Sequence, residues 1–243
     1  MDDFRKYAKS RYKALFKKLG AFRKKEKKEL LHDIRVEIKK IKSLLLATEY
    51  CVNGFKAHPN FVSIRSIFRR AGEIRDRQVS HTLLSKFKLV VASQNDESTH
   101  QLILDFIQDI PGFKVIVEEG WRAAKNEFSR VKKKALKEHL NELSLQIKGQ
   151  LFPKVNLKSI HKIRKLIKQL LYLSAISPLS KSRSHFFQEL SEDIGDLHDR
   201  QTLLKNLKSK KNKTDNLLIR KINSECAVLA QEIGRRSIAF YSR

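Results

Sequence analysis

A histidine followed three residues later by an arginine and seven residues later by a lysine occurs twice in the chain. The pattern H-x-I-R-x-x-x-K covers residues 32–39 and again residues 161–168. An arginine presents a planar fork of N–H donors, a lysine a compact positive charge, and a protonated histidine two further donors. Side chains of these types at helical spacing are suited to binding the oxygen atoms of phosphate groups.

A second motif contains a glycine, an acidic, an aliphatic and a basic residue, followed by Asp-Arg-Gln. It occupies residues 72–78 and again residues 195–201, in the same order relative to the first motif and at nearly the same spacing. We expect the aspartate of each copy to orient its basic neighbours, and the glycine to permit a close approach of two helices. The ordered pair of motifs indicates an internal tandem duplication.

The charge balance of the chain is strongly positive. The 243 residues include 52 Lys and Arg against 26 Asp and Glu, which gives a formal net charge of +26. A field of this sign attracts polyanions, so nucleic acid, anionic lipid and polyphosphate are the candidate partners. A hydrophobic fraction of 41% is sufficient for a folded protein of this length, so wholesale disorder is disfavoured.

Cysteine usage and apolar segments bear on the cellular compartment. Cys51 and Cys226 are far apart in sequence and belong to no cluster with zinc-ligand spacing, which argues against a disulfide framework or a structural metal site. The aliphatic stretches are far shorter than the ~18 residues of a membrane span, and the N-terminal residues contain no apolar signal region. We therefore expect a cytoplasmic protein with no metal, no cofactor and no membrane partner.

Apolar residues recur at helical spacing along almost the whole chain, and the 8 Gly and 4 Pro are too few for a fold of many short strands. The pattern predicts an all-α protein. The predicted helices span residues 2–24, 26–50, 59–92, 97–109, 113–149, 156–176, 181–209 and 213–242. Four of them lie on each side of Pro111-Gly112, which assigns the repeats to residues 1–110 and 111–243. We expect two four-helix bundles related by a pseudo-two-fold axis.

Basic residues lie on one face of the second helix in each predicted repeat. On a helical wheel they form a stripe that is separate from the Ile and Leu residues of the core face and contains no acidic residue. The stripe residues are His32, Arg35, Lys39 and Lys42 in the first copy and His161, Arg164, Lys165 and Lys168 in the second. Because like charges at a spacing of four destabilise a helix, a face used only for solvation would intersperse Glu. The stripe therefore indicates a binding surface.

Together, the two H-x-I-R-x-x-x-K segments and the two glycine-containing segments resemble the CHAD family, the conserved histidine α-helical domain. The resemblance covers residues 1–243 as one domain. It implies two pseudo-symmetric four-helix bundles around a basic central groove that binds inorganic polyphosphate, and association with polyphosphate granules. Arg75 of the first copy corresponds to His198 of the second, so we expect the two halves to contribute unequally to the site.

Polyphosphate has about one negative charge per phosphate and only oxygen acceptors, so its binding site requires many donors and no groups that read bases. We expect the donors of both copies to line one trough and to hold the polymer without catalysis. The predicted polyphosphate-binding residues are His32, Arg35, Lys39, Lys42, Arg69, Arg75, Arg130, His161, Arg164, Lys165, Lys168 and Arg200.

Two other functions remain open. A nucleic-acid-binding helical protein would explain the charge equally well, although aromatic residues make up only 8% of the chain and no recognition motif is found. A metal-dependent phosphohydrolase of HD type would use adjacent histidine–aspartate pairs, which are present at residues 32–33 and 198–199, with His161 and Asp215 as further candidates. Neither pair is kept in both copies of the repeat, which counts against this enzyme.

Overall fold

The computed structural model describes residues 2–86, 94–153, 155, 159–209 and 216–242. Throughout these residues the backbone is helical apart from short connections, and it contains no strand, which confirms the predicted all-α class. The described helices are α1 (Asp2–Lys25), α2 (Lys28–Cys51), α3 (Ala57–Lys86), α4 (Gln94–Gln108), α5 (Ile110–Arg130), α6 (Lys133–Leu151), α7 (Ile160–Leu173), α8 (Lys181–Ser209) and α9 (Asn216–Tyr241).

The first compact unit extends to His139 and contains α1 to α5 with the start of α6. Helix α1 packs against α2 and α5, and α3 packs against α2, α4 and α5. Aromatic rings fill its core: Phe22 meets Phe106 edge to face at 5.6 Å between centroids, and Tyr12 lies 5.6 Å from Trp121. Such contacts bury large apolar areas and fix the relative positions of the helices.

The second compact unit begins at Leu140 and contains the rest of α6 with α7, α8 and α9. Helix α8 packs against both α7 and α9. The ring of Phe186 on α8 stacks on Phe240 of α9 with centroids 3.7 Å apart and an interplanar angle of 2°. Across the described part of the chain, no helix has both the length and the apolar character needed to cross a membrane.

The prediction of eight helices with a break at Pro111-Gly112 is wrong, because the described residues already contain nine. The Pro-Gly pair lies in the first turn of α5, where a proline sacrifices no helical hydrogen bond. A single turn residue, Asp109, separates α4 from α5. Helix α5 packs against α1 and α3, so the compact units divide the chain at a different residue from the sequence repeats.

The segment predicted as one helix, 113–149, belongs to two helices, α5 and α6, separated at Val131-Lys132. Val131 has an extended backbone (φ −68°, ψ 113°) and only 3% exposure. Neither residue at the break is Gly or Pro. The helix therefore ends at a buried residue, and the local sequence gives no sign of this break.

The connection after α2 agrees with the sequence prediction. Gly54 adopts a φ of +83°, in the left-handed region that is costly for residues with a Cβ atom, and it follows Asn53 in the turn before α3. Two further predicted breaks fall partly outside the described residues. These are the break that begins at residue 93, where residue 93 itself is not described, and the break at 209–213, where residues 210–213 are not described.

Candidate functional site

Helix α2 divides into a buried face and a basic face, as its periodicity predicts. Its fully buried apolar residues include Leu31, Ile34, Ile38, Ile41 and Leu45. On the other side, His32 and Lys42 are exposed, while Arg35 and Lys39 are half-buried. Packing of the apolar face against α1 and α3 thus sets the position of the basic side chains.

Arg35 is held against α3 by three contacts. Its guanidinium carbon lies 4.5 Å from the ring centroid of Phe68, and its Nη2 is 4.0 Å from Oδ1 of Asp76. A Cβ atom at Gly72 would collide with Arg35 Nη1. Only 19% of the Arg35 side chain is exposed. The missing side chain of Gly72 therefore provides the space that the guanidinium occupies.

Two phenylalanines on α3 lie beside the cations of α2. The Nζ atom of Lys39 is 5.9 Å from the ring centroid of Phe68, and that of Lys42 is 5.4 Å from the centroid of Phe61. Cation–π attraction of this kind holds an ammonium group without neutralising it. The sequence pattern did not predict this role for the phenylalanines. The seven-residue spacing of Phe61, Phe68 and Arg75 could have indicated a shared face.

Positive charges crowd together on this face. The pKa of His32 lies below its usual value. Although the residue is exposed overall, partial burial of its ring disfavours the imidazolium, and Arg75 and Lys39 repel it, with Asp33 acting in the opposite direction. Burial is also the main cause that lowers the pKa of Arg35, with Arg75 adding to it and Asp76 opposing it. An anion bound here would relieve the repulsion between these cations.

The second unit repeats the contact between arginine and glycine. A Cβ atom at Gly195 on α8 would lie 2.9 Å from Nη2 of Arg164 on α7. The Nε of Arg164 is buried and has no hydrogen-bond partner within the described residues. Burial lowers the pKa of Lys168, and Arg164 contributes further, whereas Glu192 acts in the opposite direction. This face therefore also concentrates positive charge around a partly buried arginine.

The two units differ at the residue just before the aspartate of the second motif, which is Arg75 in the first unit and His198 in the second. In the first unit Arg75 acts electrostatically on His32. In the second, the rings of His161 and His198 lie with centroids 4.9 Å apart and planes inclined by 32°. The permanent positive charge of an arginine in one unit thus corresponds to a histidine ring in the other.

The glycine of the second motif has a different role from the one predicted. The predicted role was to let two helices approach closely. In both units it instead leaves room for the arginine of the first motif, since Gly72 adjoins Arg35 and Gly195 adjoins Arg164. The two motifs recur together because each supplies one partner of the same contact.

The remaining predicted site residues have varied surroundings. Arg69 and Lys165 are exposed, on α3 and α7. Arg130, at the end of α5, is 2.7 Å from a carboxylate oxygen of Glu127. Arg200 connects α8 to α9 through a 2.8 Å contact with Glu225, so its participation in anion binding stays a prediction.

The residues proposed for a metal-dependent hydrolase have other surroundings. Within the described ranges, no group of three or more His, Cys, Asp or Glu side chains is arranged to hold a metal ion. Asp33, beside His32, forms an ion pair with Lys18. Asp199 is half-buried on α8. Asp215 lies outside the described residues.

Comparison with known proteins identifies the family. No curated protein and no solved structure matches the chain. Among models of protein families, the CHAD domain matches residues 6–208, a segment that contains both copies of both motifs and both arginine–glycine contacts. Because this match covers most of the 243 residues, the chain belongs to the CHAD domain family.

Proposed function

We propose that the protein binds inorganic polyphosphate, without catalysis, on the basic faces that α2 and α7 carry. The observation that supports this most strongly is the arginine that each helix inserts against the glycine of the neighbouring helix, Arg35 at Gly72 and Arg164 at Gly195. Each inserted arginine lies among further cations and is only partly compensated by carboxylates.

A partly buried arginine is well suited to phosphate recognition. Its planar fork matches two phosphate oxygens, and packing already restricts its rotamers, so less conformational entropy is lost when a ligand binds. The flexible lysines nearby, Lys39 and Lys42 on α2 and Lys168 on α7, supply point charges that can follow a chain of phosphates. The expected single trough and the pseudo-two-fold relation of the repeats stay predictions.

Nucleic acid is a less suitable ligand for these faces. Sequence-tolerant binding of single strands relies on aromatic rings that are open for base stacking. The ring of Phe68 is instead approached by Arg35 at 4.5 Å and by Lys39 at 5.9 Å, so cations occupy its surroundings. We further propose, from membership in the family, that the protein associates with polyphosphate granules in the cytoplasm.

The deciding experiment is a calorimetric titration with long-chain polyphosphate, pyrophosphate and single-stranded DNA at one ionic strength. We expect the long polymer to bind at least about tenfold more tightly than pyrophosphate, because linking phosphates raises the effective concentration at neighbouring donors. Added polyphosphate should displace the DNA. Equal affinity for polymer and pyrophosphate would contradict binding of the polymer along the basic faces of α2 and α7, and would indicate a pocket for a small ligand.

The pH dependence of binding should follow His32. Its pKa lies below 6.5 in the free protein, and bound phosphate raises it by favouring the imidazolium. Affinity is therefore greatest below the free-state pKa and decreases as pH rises through the bound-state pKa, by up to about tenfold for each unit of difference. Titration with polyphosphate between about pH 5.5 and 8.5 should give this profile for the wild type and a flatter one for His32→Gln.

The matched control for the pH experiment is His100→Gln. His100 is an exposed histidine on α4 and belongs to neither of the basic faces of α2 and α7. Its replacement should leave the wild-type profile intact. If His32→Gln retained the wild-type profile instead, His32 would not contact the bound polymer.

A further inference from the structure

The helix that packs against the basic face of α2 carries cations of its own on the same side. Contacts with the α2 cations come from Phe61, Phe68 and Gly72, which identify the side of α3 that adjoins this face. Arg65 follows Phe61 by four residues and precedes Phe68 by three, so it lies on that side, and Arg69 lies one turn later at its edge. Both arginines are exposed, and within the described ranges neither forms an ion pair.

The second unit lacks these cations at the corresponding positions. The inserted arginine of each unit adjoins the glycine of the neighbouring helix, so α8 lies against α7 as α3 lies against α2. Counted from the two glycines, Arg65 corresponds to Gln188 and Arg69 corresponds to Glu192. Both residues of α8 are exposed, like their counterparts on α3. One position therefore loses its positive charge in the second unit, and the other carries a negative charge.

The acidic residue of α8 acts on the cations of α7. Burial lowers the pKa of Lys168, and Arg164 lowers it further, whereas the carboxylate of Glu192 raises it. A carboxylate that attracts a lysine competes with a phosphate group for the same charge. Counted from the histidine of the first motif, Leu171 of α7 also stands where α2 has Lys42. The second unit thus has fewer cations on this face and a counter-charge beside them.

The inserted arginines of the two units also differ in their support. The guanidinium carbon of Arg35 lies 4.5 Å from the ring centroid of Phe68. The residue of α8 that corresponds to Phe68 is Ser191, which is 1% exposed. An aromatic ring orients a guanidinium group without neutralising it, and a serine offers no such surface to Arg164. The first unit therefore presents the better oriented arginine.

We infer that the first unit is the principal polyphosphate-binding site, that Arg65 and Arg69 bind phosphates there, and that Glu192 weakens the second unit. This inference rests on the polyphosphate binding proposed above, and it assigns the polymer mainly to one of the two faces. The second unit gains one cation in return, because Lys165 stands where α2 has Val36. That single charge does not offset the cations that α7 and α8 lack and the carboxylate that α8 adds.

Removing the cations of α3 should weaken binding. Arg65→Gln with Arg69→Gln should lower the affinity for long-chain polyphosphate about fivefold or more, because two donors leave the face of the first unit. The control pair, Arg5→Gln with Arg23→Gln, removes the same charge from exposed positions of α1. It should change the affinity less than about twofold in calorimetric titration at one ionic strength near physiological salt. Equal losses from both pairs would exclude the α3 arginines from the site.

Giving α8 the residues of α3 should strengthen binding. Gln188→Arg with Glu192→Arg should raise the affinity for long-chain polyphosphate about threefold or more, because two donors replace an amide and a carboxylate beside α7. The matched control is Gln146→Arg with Glu142→Arg. These residues have the same types and the same spacing of four, at exposed positions of α6. The control should raise the affinity less than about twofold.

The outcome separates this inference from the proposed function. Circular dichroism establishes that each variant is folded before it is titrated. A wild-type protein that does not bind polyphosphate would contradict the proposed function itself. If the wild type binds, but the variants of α3 and α8 each behave like their controls, polyphosphate binding stands and the unequal division between the units is wrong. A loss on α3 and a gain on α8, each beyond its control, is the expected result.

Discussion

Replacing Arg35 and Arg164 together by glutamine should lower the affinity for long-chain polyphosphate by about 100-fold or more. A hydrogen bond to a charged group contributes about 1.5–3 kcal/mol, which corresponds to at least about tenfold in affinity for each arginine. Glutamine keeps an amide donor but loses the charge and the planar fork. Calorimetric titration of the double variant against the wild type at one ionic strength measures the loss.

The control for this experiment removes one positive charge from each unit elsewhere. Arg23 on α1 and Arg220 on α9 are exposed, and neither belongs to the basic faces of α2 and α7. The pair Arg23→Gln with Arg220→Gln should weaken binding only by the small effect of a reduced net charge. Equal losses from both pairs would mean that the total charge, and not the two inserted arginines, determines the affinity.

A second large effect should follow from adding two methyl groups without any change of charge. In Gly72→Ala with Gly195→Ala, the new Cβ atoms would collide with the guanidinium groups of Arg35 and Arg164, which must move. We expect the affinity for polyphosphate to fall at least about tenfold, because the arginines lose their fixed orientation. Titration calorimetry and thermal unfolding should be measured on the same preparations.

Stability should change little or increase in this variant. The displaced atoms are the ends of flexible side chains, and alanine is more favourable than glycine within a helix by about 1 kcal/mol. Gly149→Ala on α6 is the control, since a Cβ there meets no atom within 4 Å. It should raise the melting temperature without changing the affinity. Unchanged affinity in the double glycine variant would exclude the arginine–glycine contacts from the binding site.

Local patterns predicted most of the helices and the organisation of α2. The spacing of Ile and Leu by three or four residues predicted the buried face of α2, which contains Leu31, Ile34, Ile38 and Ile41. The repeated motifs also pointed to the arginines and glycines that the structure brings into contact. These features are encoded within a few helical turns, where spacing alone determines which residues share a face.

What the sequence did not predict depends on contacts between distant segments. The break at Val131 contains neither Gly nor Pro, and Val131 is buried in the core. The approach of Lys42 to Phe61 joins two helices, whereas the spacing within α3 indicates only that Phe61 and Phe68 share a face. The pairing of Arg200 with Glu225 on α9 likewise depends on how α8 and α9 pack. Tertiary packing determines all three.

The packing of α5 has a consequence for fragments of the chain. Phe113, Val117 and Phe128 of this helix are buried in the first unit, and Phe128 lies 6.0 Å from Phe4 of α1. The helix nevertheless follows the junction of the inferred duplication. A chain that ended at the junction would leave the aromatic core of its own first helix uncovered. We therefore expect a fragment of residues 1–110, which lacks α5, to expose this part of the core and to fold less stably than a fragment of residues 1–139.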